Sequence, residues 1–291
     1  MLNIDLHCHS SVSDGVLSPR EVVERAARNG VDVLALTDHD DVAGLAEATA
    51  TAETAGLSFI PGVEISVSWG GQTVHIVGLR IDPAHPDLAA GLQEIRAGRT
   101  ERAHRMAAGL SAAGIEGAFE GASRHAANKQ IIGRTHFARW LVEQGHAPDL
   151  RTTFRRFLTR GNPGYVEHQW TSLENAVGWI RASGGMAVIA HPGRYAFNAR
   201  ELHLLLDAFR TLGGEGIEVV TGSHHPSEYG KFADLARAFG LLASRGADFH
   251  APGEGVDLGR LPALPHYCRP VWTSWPEVAL QRTAPKLAAT T

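Results

Sequence analysis

Histidines and carboxylates at short, regular spacings are the residues of this chain best suited to do chemistry. The stretch "NIDLHCHSSVSDG", residues 3–15, carries Asp5, His7 and His9 at every second position, followed by Asp14. Successive side chains of a β-strand point to opposite faces. A strand over Asn3–Cys8 therefore predicts Asp5, His7 and His9 on one face and Ile4, Leu6 and Cys8 on the other. Further along come His39 in "LALTDHD", Glu64 in "GVEIS", His75 in "TVHIVGL", His191 in "AHPGRY", and Asp248 with His250 in "ADFH". Six imidazoles and three carboxylates exceed the four ligands that one zinc ion takes, and roughly match three divalent ions with open positions. The other ten of the sixteen histidines have no evident partner and read as ordinary surface or core residues.

The elements that must position these residues are well punctuated. Ser18, Pro19 and Glu21 mark a helix start with a capping box, and Gly30 marks its end. An apolar strand, Val33–Thr37, runs into Asp38-His39-Asp40, and a second helix over Val42–Ala55 stops at Gly56. "LSFIPGVEIS" reads as a buried strand delivering Glu64, and two extended segments around Gly70-Gly71 bring in His75. Residues 82–165 are helical in period, rich in arginine and nearly free of strand signals, and form an inserted helical subdomain. The helix–strand rhythm then resumes, ending successively at His191, at Glu218 and at Asp248 with His250.

This alternation predicts parallel strands with covering helices, and the polar residues fall at the C-terminal strand ends, where TIM-type barrels place their chemistry. Without the insert roughly 200 residues remain, near the lower limit for such barrels. The expected fold is an α/β, distorted seven-stranded (β/α) TIM-like barrel built from residues 1–81 and 166–291, with 82–165 as a small helical cap. An open doubly wound sheet is the alternative, but it would scatter these ligands along a crevice. From Ala251 onward, prolines at 252, 262, 265, 270, 276 and 285 predict extended chain, anchored by Trp272 and Trp275 and carrying no chemistry.

Composition narrows the function classes. The chain has 291 residues, 44% hydrophobic and 20% charged, with a formal net charge of −4. No global basic field is present to attract long nucleic acid. Two cysteines, Cys8 and Cys268, provide no disulfide framework. With no signal peptide and no membrane-spanning apolar run, the expected location is the cytoplasm.

"DLHCHSSVSDG", "LALTDHD", "GVEIS", "AHPGRY" and "ADFHAPG" resemble the successive motifs of the PHP family, named for polymerase and histidinol phosphatase. Within the insert, "RTERA", "GRTHFARWL" and "RGNPGYV" resemble one subgroup, the nucleoside 3′,5′-bisphosphate phosphatases and related 5′–3′ exoribonucleases. The resemblance implies three metal ions. His7, His9, Glu64 and Asp248 would hold the first, Glu64, His75 and His191 the second, and Asp14, His39 and His250 the third. It makes Asp14, His39, Glu64, Asp248 and His250 the catalytic core, with Asp5, Asp38 and Asp40 orienting histidine ligands and Glu218 structural. The imidazole–carboxylate mix suits Mn²⁺, Zn²⁺ or Fe²⁺, with Mn²⁺ preferred. In one departure, Ala247 stands where many relatives have serine, so one hydrogen bond near the last ligands is missing from the pattern.

Three divalent ions and three carboxylates would leave a net positive pocket suited to phosphate. A water shared by two ions would be deprotonated near neutral pH and could attack phosphorus in line. Arg99 and Arg102 lie three apart on one helix, and Arg134 with Thr135 opens another, so the insert offers anion contacts. Lys129, Arg194 and His224 are weaker candidates of the same kind. The expected reaction removes the 3′-phosphate of a nucleoside 3′,5′-bisphosphate, giving a 5′-nucleotide. Short 5′-phosphorylated RNA is the alternative substrate, and no membrane or obligate protein partner is indicated. An amidohydrolase would share the His-x-His start but usually needs a mid-barrel lysine, and Lys129, Lys231 and Lys286 lie at no strand end. A non-catalytic metal-binding module would tolerate lost ligands, whereas all nine positions are filled.

Overall fold

Among the described residues, seven strands are hydrogen-bonded in sequence order: β1 (Ile4–Asp5), β2 (Val33–Leu36), β3 (Ser58–Trp69), β4 (Gln72–Leu79), β5 (Met186–Ile189), β6 (Gly216–Thr221) and β7 (Leu242–Gly246). The computed structural model describes residues 2–283, so Pro285 and Lys286 lie outside the described residues. β7 returns to β1, where Leu6 N donates to Arg245 O at 3.0 Å and Asp248 N to His7 O at 2.8 Å. The sheet thereby curls into a nearly closed barrel. Gly246 permits this closure, because a Cβ there would sit 2.3 Å from the Cβ of His7.

Alternation along the strands sorts the core into two layers. Ile4, Leu6, Val33, Ala35, Ile60, Val77, Leu79, Val188 and Ala190 meet in one buried cluster, the barrel interior. Residues of opposite parity, among them Leu34, Leu36, Ile76, Ala187, Ile189 and Ile217, pack outward in a second cluster with the helices. Those helices are α1 (Pro19–Arg28), α2 (Leu45–Ala55), α3 (Pro86–Ala112), α4 (Ala118–Arg124), α5 (Arg134–Glu143), α6 (Leu150–Thr153), α7 (Leu173–Ala182), α8 (Ala199–Thr211), α9 (Tyr229–Ala238) and α10 (Pro276–Thr283). The Ser18–Glu21 capping box forms at the start of α1, and Gly56 ends α2 in the left-handed region.

Three expectations need correction. The strands are not all parallel: β4 runs antiparallel to both β3 and β5, because the Gly70-Gly71 turn reverses the chain into a hairpin. The N-terminal strand stops at Asp5, and Asp5 parts company with His7 and His9. Ile4 and Leu6 face the interior, so Asp5 faces out, where it accepts from Ala247 N and Gly259 N at 2.8 Å each. Beyond Ala251 the chain is irregular as expected, but it ends in the unforeseen helix α10, whose Val278 joins Val271 and Trp275 in the barrel interior.

The β4–β5 connection carries the cap. At 27 residues, α3 is about 40 Å long, far beyond the 10 to 13 residues of the other barrel helices α1, α2, α7, α8 and α9. Its first half, with Leu88, Leu92 and Ile95, packs in the barrel's outer layer. Its second half, with Ala103, Met106 and Leu110, belongs to a separate core completed by Phe137, Trp140, Leu141 and Leu158. One helix thus roots the cap in the barrel.

Candidate metal centre

Parity explains why charged groups gather at one barrel mouth. Glu64 lies four residues past Ile60, His75 two before Val77, and Glu218 two past Gly216, where a Cβ would meet Val188 and Val271 of the interior, so each continues the inward-facing set above the apolar plug. Glu64 and His75 lie within their strands and not at C-terminal strand ends, because the β3–β4 hairpin extends beyond the mouth.

Glu64 is the hub. Its Oε1 is 3.0 Å from His75 Nδ1 and 2.9 Å from His191 Nε2, and its Oε2 is 2.9 Å from His39 Nδ1 and 3.4 Å from both His7 Nε2 and His9 Nε2. Asp248 Oδ1 lies 3.2 Å from His9 Nε2 and 3.5 Å from His7 Nε2, and Asp14 Oδ1 lies 3.2 Å from His250 Nε2. All nine sequence candidates are therefore together. They form four overlapping groups with ligand atoms within 4.8 Å of one another: His9–Asp14–His39–His250, His7–His191–Asp248, His7–His9–Glu64 and His39–Glu64–His75.

The donor set fits cations. Asp14 Oδ1, Glu64 Oε2 and His39 Nδ1 are buried without a hydrogen bond, even though His39 Nδ1 and Glu64 Oε2 are only 2.9 Å apart. Buried lone pairs without a donor are costly, and a shared cation would satisfy them. Burial opposes ionisation of Glu64, Asp14 and Asp248, yet the surrounding imidazoles hold all three well below the usual carboxylate range. Burial also disfavours imidazolium, but Asp14 and Asp248 push His250 up to about 9. His9 and His191, where burial prevails, fall to about 3.

The groups that hold the ligands differ from those expected. Asp38 accepts from Ser10 N and Ser13 Oγ, at 2.8 and 2.6 Å, and fixes the turn after His9. Asp40 accepts from Ser66 N and from Arg99 Nε, both at 2.7 Å. Neither these two nor Asp5 orients a histidine ring. Glu218 does: Oε1 accepts from His7 Nδ1 at 2.8 Å and Oε2 from His191 N at 2.7 Å. Its signal in the sequence was a lone glutamate inside the apolar strand "GIEVV", a charge that requires a buried partner. Ser223 Oγ donates to Asp248 Oδ2, and Arg194, half-exposed, reaches the same oxygen at 3.3 Å. The hydrogen bonds to Asp248 thus come from elsewhere than position 247.

The cap closes a cavity of about 330 Å³ over the ligands, lined by Asp14, His39, His75, Asp248 and His250 below and by Arg99, Arg102, Arg134 and Thr135 above. These cap residues have different partners. Arg99 is buried against Asp40, with Ser66 Oγ at 2.9 Å. Thr135 Oγ1 donates to Asp14 Oδ2 at 2.9 Å, and Arg139 to Asp14 O at 2.7 Å, so α5 positions a ligand. Arg102 and Arg134, among the described residues, pair with no carboxylate. Arg102 stacks beside Trp170, and burial together with Arg134 and Arg99 lowers it to about 9. Two of the weaker candidates lie elsewhere. His224 is committed to Gly193 N at 2.9 Å and Val219 O at 3.3 Å, stacked on Phe232, and Lys129 donates to Ser123 O and Ala126 O. Neither lines the cavity. Glu254 and Val256 do line it, so the C-terminal stretch borders the site after all.

A family model for the PHP domain matches residues 5–208. The chain belongs to the PHP family. Among PHP relatives it is 59% identical to a 3′,5′-nucleoside bisphosphate phosphatase of Chromobacterium violaceum, over 94% of this chain and 96% of that one. It is 43% identical to the 5′-3′ exoribonuclease Rnm of Escherichia coli, over 93% of each. A solved structure named for an amidohydrolase of Chromobacterium violaceum, with bound sulfate and no metal, superposes at a TM-score of 0.92 with 57% identity over 96% of both chains. One named for a metal-dependent phosphoesterase of Bifidobacterium adolescentis superposes at 0.77 with 26% identity over 92% of both. These matches bear out the PHP family and its barrel.

Proposed function

We propose that this PHP chain removes the 3′-phosphate of a nucleoside 3′,5′-bisphosphate, giving a 5′-nucleotide and inorganic phosphate. One observation carries the reading: Arg102 and Arg134, cations without a carboxylate partner among the described residues, line one cavity with Asp14, His39, His75, Asp248 and His250, five of the nine clustered metal-ligand candidates. Two phosphates on one ribose match those two sub-regions. The 59% identical relative, named for that activity, supports the same assignment.

We assign three divalent cations, Mn²⁺ in preference to Zn²⁺ or Fe²⁺, to His7, His9, Asp14, His39, Glu64, His75, His191, Asp248 and His250, with Glu64 shared. The Asp14–His39–His250 group coincides with the expected third site, whereas His191 faces both Glu64 and the His7–Asp248 side. Bound there, such cations supply Lewis acidity toward phosphoryl oxygens and a water acidic enough to act as nucleophile at neutral pH. The chain's own residues orient the reaction. Glu218 fixes the His7 ring, Thr135 turns Asp14, and Arg102 and Arg134 hold the phosphate that is not cleaved. Arg99, engaged by Asp40, braces the cap against the loop that carries His39, and Arg194 lies beside Asp248 at the cavity wall.

Exoribonuclease action on short 5′-phosphorylated RNA is the second reading. It is favoured by a groove of about 770 Å³ that adjoins the cavity and shares Arg102, Arg134, Trp170 and Arg194 with it. An amidohydrolase reading is weaker, because among the described residues no lysine lines the cavity. Unpaired Cys8 and Cys268 suit the cytoplasm, and among the described residues no helix is long and apolar enough to cross a membrane. The test is phosphate release by Mn²⁺-loaded protein from a nucleoside 3′,5′-bisphosphate, expected to be efficient and abolished by chelation. Absence of release with metal bound would overturn the proposal.

A further inference from the structure

Tyr195 follows the short 3₁₀ turn Pro192–Arg194 and is not itself a metal-ligand candidate, yet its hydroxyl lies between β4, which carries His75, and the end of β5, just before His191. β4 and β5 pair antiparallel through Leu79–Met186, Gly78–Ala187, Val77–Val188 and Ile76–Ile189. One step further in that register, His75 faces Ala190. A hydrogen-bonded antiparallel pair exchanges two N–H···O bonds. One of them is present, from Ala190 N to His75 O at 3.1 Å. The reciprocal bond is interrupted: His75 N donates to Tyr195 Oη at 2.9 Å, and Tyr195 Oη donates to Ala190 O at 2.8 Å. A side-chain oxygen is spliced into the rung.

The position of that splice matters. Directly beside it are His75 and His191, whose rings meet edge to face with centroids 5.2 Å apart and both reach Glu64 Oε1. His191 leaves the strand with φ 25°, a conformation rare outside glycine, and its N–H is held by Glu218. A direct rung would draw the Ala190 carbonyl toward His75 N and carry the His191 backbone with it. The hydroxyl holds that gap open, with one bond accepted from His75 N and one donated to Ala190 O.

We propose that Tyr195 is a positioning residue whose hydroxyl, as a spacer in the β4–β5 rung, sets the spread of His75 and His191 about Glu64 and so the affinity of the cation those three share. This rests on the metal reading above. Hydrogen-bond partners that orient metal ligands are worth roughly ten- to a hundredfold in metal affinity. The phenyl ring of a Tyr195→Phe variant keeps the packing against His191 and Phe197 and removes only the spacer.

The experiment is Mn²⁺ equilibrium dialysis on the full chain, with thermal unfolding measured separately in chelator. Tyr195→Phe should weaken one Mn²⁺ equivalent by about ten- to a hundredfold and leave the others unchanged. His75→Ala should weaken the same equivalent, and adding Tyr195→Phe to it should cost less than Tyr195→Phe costs alone, because the hydroxyl acts in part through His75. Wild-type-like binding by Tyr195→Phe, a uniform loss across all equivalents, or additive losses in the double variant would each overturn the spacer role. So would failure of Tyr195→Phe to fold, which would make the hydroxyl a fold determinant. Wild-type protein that binds no Mn²⁺ would instead defeat the metal reading itself.

Discussion

The barrel mouth and the cap that covers it are both crowded with charge, but they balance it differently. At the mouth, the carboxylates Glu64, Asp14, Asp248 and Glu218 are interleaved with six imidazoles, and buried lone pairs still lack hydrogens. That region has spare capacity for cations. In the cap, Arg99 is matched by Asp40, while Arg102 and Arg134 have no acid partner among the described residues. Burial lowers the pKa of both, and neighbouring guanidiniums add to it: Arg134 and Arg99 act on Arg102, and Arg194 and Arg99 on Arg134. That region has spare capacity for an anion. On the proposed function, a substrate with two phosphates on one sugar would engage both, whereas a simple phosphate ester would use only the mouth.

The largest effect should come from the mouth. Asp248→Ala removes a carboxylate that faces His7 and His9 and should lower kcat by about a thousandfold, since several kcal/mol of metal-supplied charge stabilisation go with it. The far-UV spectrum should stay native. A variant with near-wild-type turnover would break the comparison by taking Asp248 out of the cation region.

A smaller effect separates the arginines within the cap. Arg99→Ala leaves Asp40 buried without its guanidinium and should destabilise the fold by about 3–5 kcal/mol in denaturant unfolding. Arg134→Ala strands no buried acid and should destabilise the fold far less than Arg99→Ala, because it removes only packing over the Phe154 ring. Equal destabilisation by the two would mean that Arg134 has a structural partner and that the cap holds no free anion site.

Much of this was legible in the sequence because local pattern carries it. The Ser18–Glu21 capping box, the Gly56 stop and the nine ligand candidates all follow from residue type and spacing over a few positions. What escaped depends on pairing at long range. The Asp5–His7–His9 face failed because regular strand geometry ends at Asp5, which nothing in the local pattern requires. Asp40 meets Arg99 across 59 positions and His7 meets Glu218 across 211, so which carboxylate orients a ligand and which braces the cap depends on the closed barrel. The reversal of β4 sits between these cases: Gly70-Gly71 announced a turn, but only the ladder shows that the next strand stays antiparallel to both neighbours. His224 was a weaker candidate for an anion contact, and the 3₁₀ turn at Pro192–Arg194 claims it instead.

The central claim is that the mouth holds the phosphate to be cleaved and the cap arginines hold the other. It is tested most directly by kcat/KM for a nucleoside 3′,5′-bisphosphate and for the matching 3′-monophosphate, in wild type and in Arg134→Ala, all loaded with Mn²⁺. Wild type should strongly prefer the bisphosphate. Loss of one charge-assisted contact, about 1.5–3 kcal/mol, should cut the variant's kcat/KM on the bisphosphate by roughly ten- to a hundredfold. The 3′-monophosphate, which lacks the second phosphate, should be nearly unaffected. Equal losses on both substrates would contradict the account and return Arg134 to a structural role.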